Sequence, residues 1–245
     1  MNDRSGPASF FRETTRAFGA TIATRRGQFD LVAALCAQAF DLFEKNAAIQ
    51  AEGAPQIACK GECAACCRLR VVATAPEIFV LARFVEVNAK AFEARGVMLS
   101  QRIADTALTV GDLDEADRMA ARRYCPFIEN DLCLAYRLRP LACRGHAALD
   151  RQACISAADG GGEDAPVSTP HLVVRSLVQN AMMNGLRQAR LAWGLYELTR
   201  GLKIAIDSQG VIDAWLRGAD PLAPAAIPDF DAAEAAAMFD GLQPA

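Results

Sequence analysis

Apolar positions along the chain recur at helical spacing and almost nowhere alternate as they would in a half-buried strand. Residues 28–52 carry an apolar stripe at Phe29, Val32, Cys36, Ala39, Phe40 and Phe43, which predicts an amphipathic helix that the segment GAPQI breaks at Gly53. Residues 1–27 read as a loosely packed arm with a short helix near Phe10 to Ala23. Further on, Thr74 and Glu77 stand at capping-box spacing with Pro76 in the first turn, so a helix is expected from there to about Arg95, stopping at Gly96. More helix is expected around 99–109 and 113–123. Residues 158–170 (ADGGGEDAPVSTP) read as a loop, after which Ser168 or Thr169 caps a long helical stretch over 171–206 that Gly185 and Gly201 bend or divide. A short helix near 210–217, the Pro/Ala segment PLAPAAIP and a final Ala-rich helix over about 230–241 complete the chain. No repeats are visible. The pattern predicts an all-α fold, an irregular helical domain organised around a cysteine-rich segment. Its regions are an N-terminal arm and helix (1–58), a cysteine-cluster region (59–155) and a C-terminal helical region (156–245), packed as one domain.

Composition narrows the classes open to such a fold. The chain has 245 residues, 52% of them apolar, and a net charge of −3, so global charge does not argue for nucleic acid or an anionic membrane surface as a partner. No apolar run approaches the roughly 20 residues that cross a bilayer. Thr24-Arg25-Arg26 before LVAALCAQAF faintly resembles a twin-arginine export signal, but Asp30 and Asp41 bracket a short apolar run that already reads as a helix stripe. A cytoplasmic location is therefore expected, where crowded cysteines hold metal more often than disulfides.

The nine cysteines then become the main chemical feature. Cys36 sits on the apolar stripe and reads as a small core residue. The other eight form two groups: Cys59, Cys63, Cys66 and Cys67 in CKGECAACC, and Cys125, Cys133, Cys143 and Cys154 across a turn-rich stretch. Four plus four thiols suit two four-thiolate centres or one larger shared cluster, and thiolate is a natural ligand of both zinc and iron–sulfur. Adjacent side chains point different ways, so Cys66 and Cys67 seldom serve one small tetrahedral ion. Two neighbouring centres drawing on both groups are a natural arrangement, with the assignment of ligands open. A loop with few backbone bonds can also gain its order from the metal it binds.

Charge agrees with ionised sulfur. Residues 60–70 carry Lys60, Arg68 and Arg70 against Glu62, and residues 122–151 carry Arg122, Arg123, Arg137, Arg139, Arg144 and Arg151 against Glu129, Asp131 and Asp150, in an otherwise acidic chain. Cations beside sulfur favour the thiolate. Cys59-x3-Cys63-x2-Cys66 also has the spacing of the radical S-adenosylmethionine motif, but no strands for its barrel are visible, and Ala64 stands where that motif usually carries an aromatic residue.

Taken together, Cys59, Cys63-Ala-Ala-Cys66-Cys67, Cys125-Pro-Phe-Ile, Cys133-Leu-Ala-Tyr136-Arg-Leu-Arg139-Pro140, Cys143-Arg144 and Cys154 resemble the YkgJ-type cysteine-cluster family of zinc- or iron-chelating domains. The resemblance covers roughly residues 59–155. It implies a metal held by the eight cysteines, and the family is often labelled an iron–sulfur oxidoreductase. Similar cysteine motifs occur in flagellin lysine methylases, although no glycine-rich cofactor loop is visible here.

The remaining candidates read more simply. Tyr136 and the Arg139-Pro140 step are expected to be structural, with Arg139 bonding loop carbonyls or cluster sulfurs. His146 could replace a thiolate but is expected to sit beside or outside the ligand set, and His171, at a helix start, is not expected to be a ligand. Asp112, Asp114, Glu115 and Asp117 read as a solvated acidic face, and Trp193 and Tyr196 as core residues on the long C-terminal helix. The expected function is metal binding, zinc or iron–sulfur, in a redox, metal-handling or accessory role. The alternatives are an oxidoreductase using the centre catalytically and a zinc-stapled domain that binds a protein partner. Closed four-ligand sites favour the non-catalytic readings.

Overall fold

The computed structural model describes residues 6–28, 30–59, 61–161 and 164–242. Those described residues are 62% helical, with 11 helices and two short antiparallel strand pairs among them. The expected all-α class holds.

Three helices form the frame. The apolar stripe of residues 28–52 becomes α2 (Leu31–Gln50), with Val32, Cys36, Ala39, Phe40 and Phe43 buried; Phe29 lies outside the described residues. Residues 7–25, expected as a loose arm with a short helix, instead form α1 (Pro7–Arg25), a full-length helix that buries Phe11, Phe18 and Ile22. These residues recur at seven- and four-residue intervals, enough to give a weakly amphipathic helix one buried stripe. Its partner is α8 (Thr169–Gln188). Gly185 lets the two backbones approach, since a Cβ there would meet the Phe18 Cβ at 3.0 Å.

The long C-terminal stretch breaks at 189–197 rather than at either glycine. Arg190 takes a positive φ of 57°, and α9 (Leu198–Asp207) begins after this connector. Gly201 packs against Ile78, whose Cδ1 would lie 2.6 Å from a Cβ there. Both glycines thus serve close packing and not bends. Trp193 and Tyr196 lie in the connector, outside any helix. Tyr196 is fully buried and donates to Asp220, and Trp193 packs partly buried against the core.

The remaining helices are α3 (Ala75–Glu93), α4 (Leu99–Val110), α5 (Glu115–Ala120), α6 (Leu141–Gly145), α7 (Arg151–Ala158), α10 (Val211–Leu216) and α11 (Ala232–Gly241). The capping box of α3 forms as expected at Thr74 and Glu77. The stretch expected as helix over 113–123 shortens to α5, closed by Arg122 at φ 50°. Strands β1 (Val72–Ala73) and β4 (Tyr196–Glu197) pair antiparallel, as do β2 (Ile128–Glu129) and β3 (Leu132–Cys133). One continuous apolar cluster runs from Phe11 to Phe239. No helix among the described residues is long and apolar enough to cross a membrane.

Candidate metal centre

The cysteine-rich region lies against this frame, and buried polar contacts fix it there. Glu77 holds both ends of the connection. Its Oε2 accepts from the Thr74 N–H at 2.8 Å, while Oε1 accepts from the Leu141 N–H at 2.6 Å. The start of α3 is thereby tied to the start of α6, which carries Cys143. Burial raises the Glu77 pKa despite these donors. Pairing of β1 with β4, with the Leu198 N–H donating to the Val71 carbonyl at 2.9 Å, fixes the exit of the first cysteine stretch on α9. A buried ion pair, Arg118–Glu197 at 3.1 Å, ties α5 to the same place.

Each cysteine sits on a short local device. Cys66 and Cys67 occupy a single 3₁₀ turn, Ala65–Arg68. Arg68 anchors that turn to the end of α7, which bears Cys154, by donating to the Ala158 carbonyl and Asp159. The Cys125 N–H donates to the Cys67 carbonyl at 2.7 Å, joining the two cysteine stretches directly. Cys133 lies on β3, across from Ile128, in a hairpin whose turn residues Asn130 and Asp131 both have positive φ, the requirement of a tight primed turn. Cys59 is held by residues 146–148: the Ala58 N–H donates to the Ala148 carbonyl, and the Ala148 N–H donates to the Cys59 Sγ at 3.1 Å. The second group is thus less irregular than its sequence implies, since Cys143 and Cys154 lie on α6 and α7. Both helices are too short to show a period, and Asp150 caps α7 by accepting from the Gln152 and Ala153 N–H groups.

All eight clustered cysteines line one cavity of about 250 Å³. Cys36 does not; it is buried in α2, as expected. None of the nine thiols is bridged to another. Among the described residues, no three Cys, His, Asp or Glu side chains already stand as a ready metal-ligand group, so the thiols ring the wall rather than converge at one point.

Backbone donors and one cation act on this sulfur. N–H groups are aimed at Cys59 from Ala148, at Cys125 from Phe127 and at Cys133 from Ala135, each favouring the thiolate. Burial opposes them. It pushes Cys59 and Cys133 up, Cys125 up to about 12, Cys154 up to about 11, and Cys143 up strongly. The vicinal pair splits: a hydrogen bond from Cys67 pulls Cys66 down to about 7, and the same bond holds the Cys67 proton in place. Arg139 favours ionisation of Cys59, Cys66, Cys133 and Cys143. It is held by a bond to the Tyr136 carbonyl and by stacking 3.8 Å from the centroid of the Tyr136 ring.

The other arginines divide. Arg144 pairs with Glu44, donates to the Arg137 and Arg139 carbonyls, and lies over Phe40. Arg68 braces α7. Arg70, Arg151 and Arg175 line the cavity, and no carboxylate does among the described residues. Lys60 lies outside the described residues. His146 lines the cavity, with its pKa lowered by burial. His171 instead bonds Ser168 through Nδ1 at 2.7 Å, apart from the cavity wall. The acidic face is partly engaged: Asp114 caps α5, Asp112 pairs with Arg200, and Glu115 accepts from the Arg70 N–H. Arg175 is the wall residue that sequence patterning missed. The available signal was a polar pair at i,i+4 spacing, Arg175 and Gln179, beside the buried apolar positions Val174 and Val178 of α8.

A thiol-ringed cavity with amide donors offers the ligand type of a metal–thiolate group, without three of the thiols already standing at ligand spacing among the described residues. Residues 58–159 match the CxxCxxCC family model, described as a putative zinc- or iron-chelating domain. The match ends before α8 and begins after α2, so it covers under half of the chain while including all eight clustered cysteines. No curated protein and no solved structure is significantly similar to the chain.

Proposed function

We propose that this chain is a metal-binding protein in which Cys59, Cys63, Cys66, Cys67, Cys125, Cys133, Cys143 and Cys154 together hold one shared polynuclear zinc or iron–sulfur centre. The observation that carries this reading is that eight thiols from two distant stretches face a single cavity. In the shared form, the thiolates supply the bonds and the aimed N–H groups of Phe127, Ala135 and Ala148 offset negative charge on sulfur. When bound, such a centre supplies either structural cross-linking, as zinc, or one-electron redox capacity, as iron–sulfur. The Arg139 charge lowers the cost of ionising Cys59, Cys66, Cys133 and Cys143.

A redox or metal-handling role is preferred to a purely structural staple, because the cavity that the sulfurs line extends to Leu81, Phe127, Leu172 and Leu198. The same cavity favours, as a second reading, an oxidoreductase-type enzyme that meets a small molecule at the centre. A cytoplasmic setting fits unbridged cysteines. The test is metal and acid-labile sulfide analysis of protein purified without air. Iron with matching sulfide and a visible absorption band assigns the redox form. Two or more zinc ions without colour assign the zinc form. Protein that retains no metal and whose eight thiols alkylate freely overturns the proposal.

A further inference from the structure

The cavity wall holds a cation whose hydrogen bond goes to an amide and not to a sulfur. Arg175 reaches the wall from α8, and Gly145 is shaped around its stem: a Cβ there would lie 2.6 Å from the Arg175 Cβ and 2.7 Å from its Cγ. One arm donates to the Gln179 Oε1 at 3.1 Å. Its Nε is buried with no acceptor, and so is the Nε2 of Gln179, a side chain only 2% exposed. Among the described residues Arg175 is in no ion pair; burial lowers its pKa, and the carboxylate acting on it, Glu77, is occupied by Thr74 and Leu141. Arg175 is partly buried, and native structures rarely leave a buried donor such as its Nε unmet.

Two sources of negative charge could meet it: the thiolates or a ligand. The packing points to a ligand: the stem of Arg175 is seated on Gly145, next to His146, and the bond it donates goes to Gln179 and not to a sulfur. The neighbourhood of Arg175 is the His146 side of the wall. Leu172 lies one turn before it, and the exposed Arg151 also borders the chamber. We propose that Arg175, with Arg151 beside the same cavity, forms an anion-binding subsite for a small carboxylate- or phosphate-bearing molecule lying next to the metal centre. A guanidinium presents paired N–H donors that match both headgroups. The Leu81, Leu172 and Leu198 walls would cover an apolar body attached to that headgroup.

The placement beside the centre rests on the metal reading above, so metal content is measured in the same samples. Anaerobically purified full-length protein, with its metal, is titrated calorimetrically with inorganic phosphate and separately with oxalate. Saturable binding of at least one is expected, and the stronger of the two names the headgroup. Arg175→Met is expected to weaken it at least about tenfold, as loss of a charge-assisted pair does, with metal content unchanged. Arg151→Ala, at an exposed position, is expected to weaken it a few-fold without altering the melting temperature. Absence of saturable binding of either anion, or equal binding by both variants and the parent, overturns the subsite while leaving the metal reading intact. Loss of metal in Arg175→Met without anion binding by the parent assigns Arg175 to the centre and also overturns it. If Arg175→Met does not fold, the Arg151→Ala titration decides alone.

Discussion

Cys66 and Cys67 share one 3₁₀ turn and one hydrogen bond, so each depends on the other for its protonation state. Changing either to serine removes a sulfur and disturbs its partner. Cys66→Ser and Cys67→Ser are each expected to lower bound metal and to reduce the protection of residues 59–155, read by metal analysis and amide hydrogen exchange. Full metal content and unchanged protection in both would remove the vicinal pair from the ligand set. Proton competition gives a second expectation. Metal ligands must be deprotonated, and burial pushes Cys125 to about 12 and Cys154 to about 11, so protons bind these sulfurs more tightly than free thiols. Occupancy is therefore expected to fall as pH drops and to recover as it rises, followed by a chromophoric chelator across a pH series. At this scale the cysteines were legible because thiols in close spacing have few other uses. Arg175 was not, because its one signal, an i,i+4 polar pair with Gln179, does not separate a cavity wall from an exposed helix face until the fold shows which way it faces.

Among the elements, the connection from α3 to α6 is the one on which the site geometry rests. Glu77 accepts three bonds from Thr74 and Leu141 with no exposure to solvent. Glu77→Gln puts an amide donor where a carboxylate oxygen accepted, leaving at least one buried donor unmet. A loss of about 1–3 kcal/mol is expected in urea denaturation. Equal stability would mean that the capping box does not carry the connection. Thr74 and Glu77 were readable in advance because a capping box is a local device. Gly185 and Gly201 were misread as bends because spacing alone cannot distinguish a flexible backbone from a close helix contact. The true break, over 189–197, turns at Arg190, a non-glycine residue at positive φ, and holds Gly194, which spacing alone did not set apart from Gly185 and Gly201. Helices α6 and α7 escaped for a different reason: with five and eight residues they complete too few turns to show a period.

The molecule as a whole is a helical frame with a cavity whose walls come from both inside and outside the matched segment. Residues 58–159 supply the sulfur, while Leu172 and Arg175 from α8 and Leu198 from α9 close the chamber. Removing metal is therefore expected to loosen the cysteine-bearing turns, the β2–β3 hairpin and α7, while α1, α2 and α8 keep their protection, because their apolar contacts do not pass through sulfur. Uniform loss of protection across the chain on chelation would contradict that division. The central claim is that eight cysteines share one metal–thiolate centre, and its most direct test is the metal and sulfide content of anaerobically purified protein combined with a count of alkylatable thiols. The account predicts at least two metal ions per chain and eight cysteines shielded until chelation, with Cys36 buried throughout. Protein free of metal, with those eight thiols open to alkylation from the start, would contradict it.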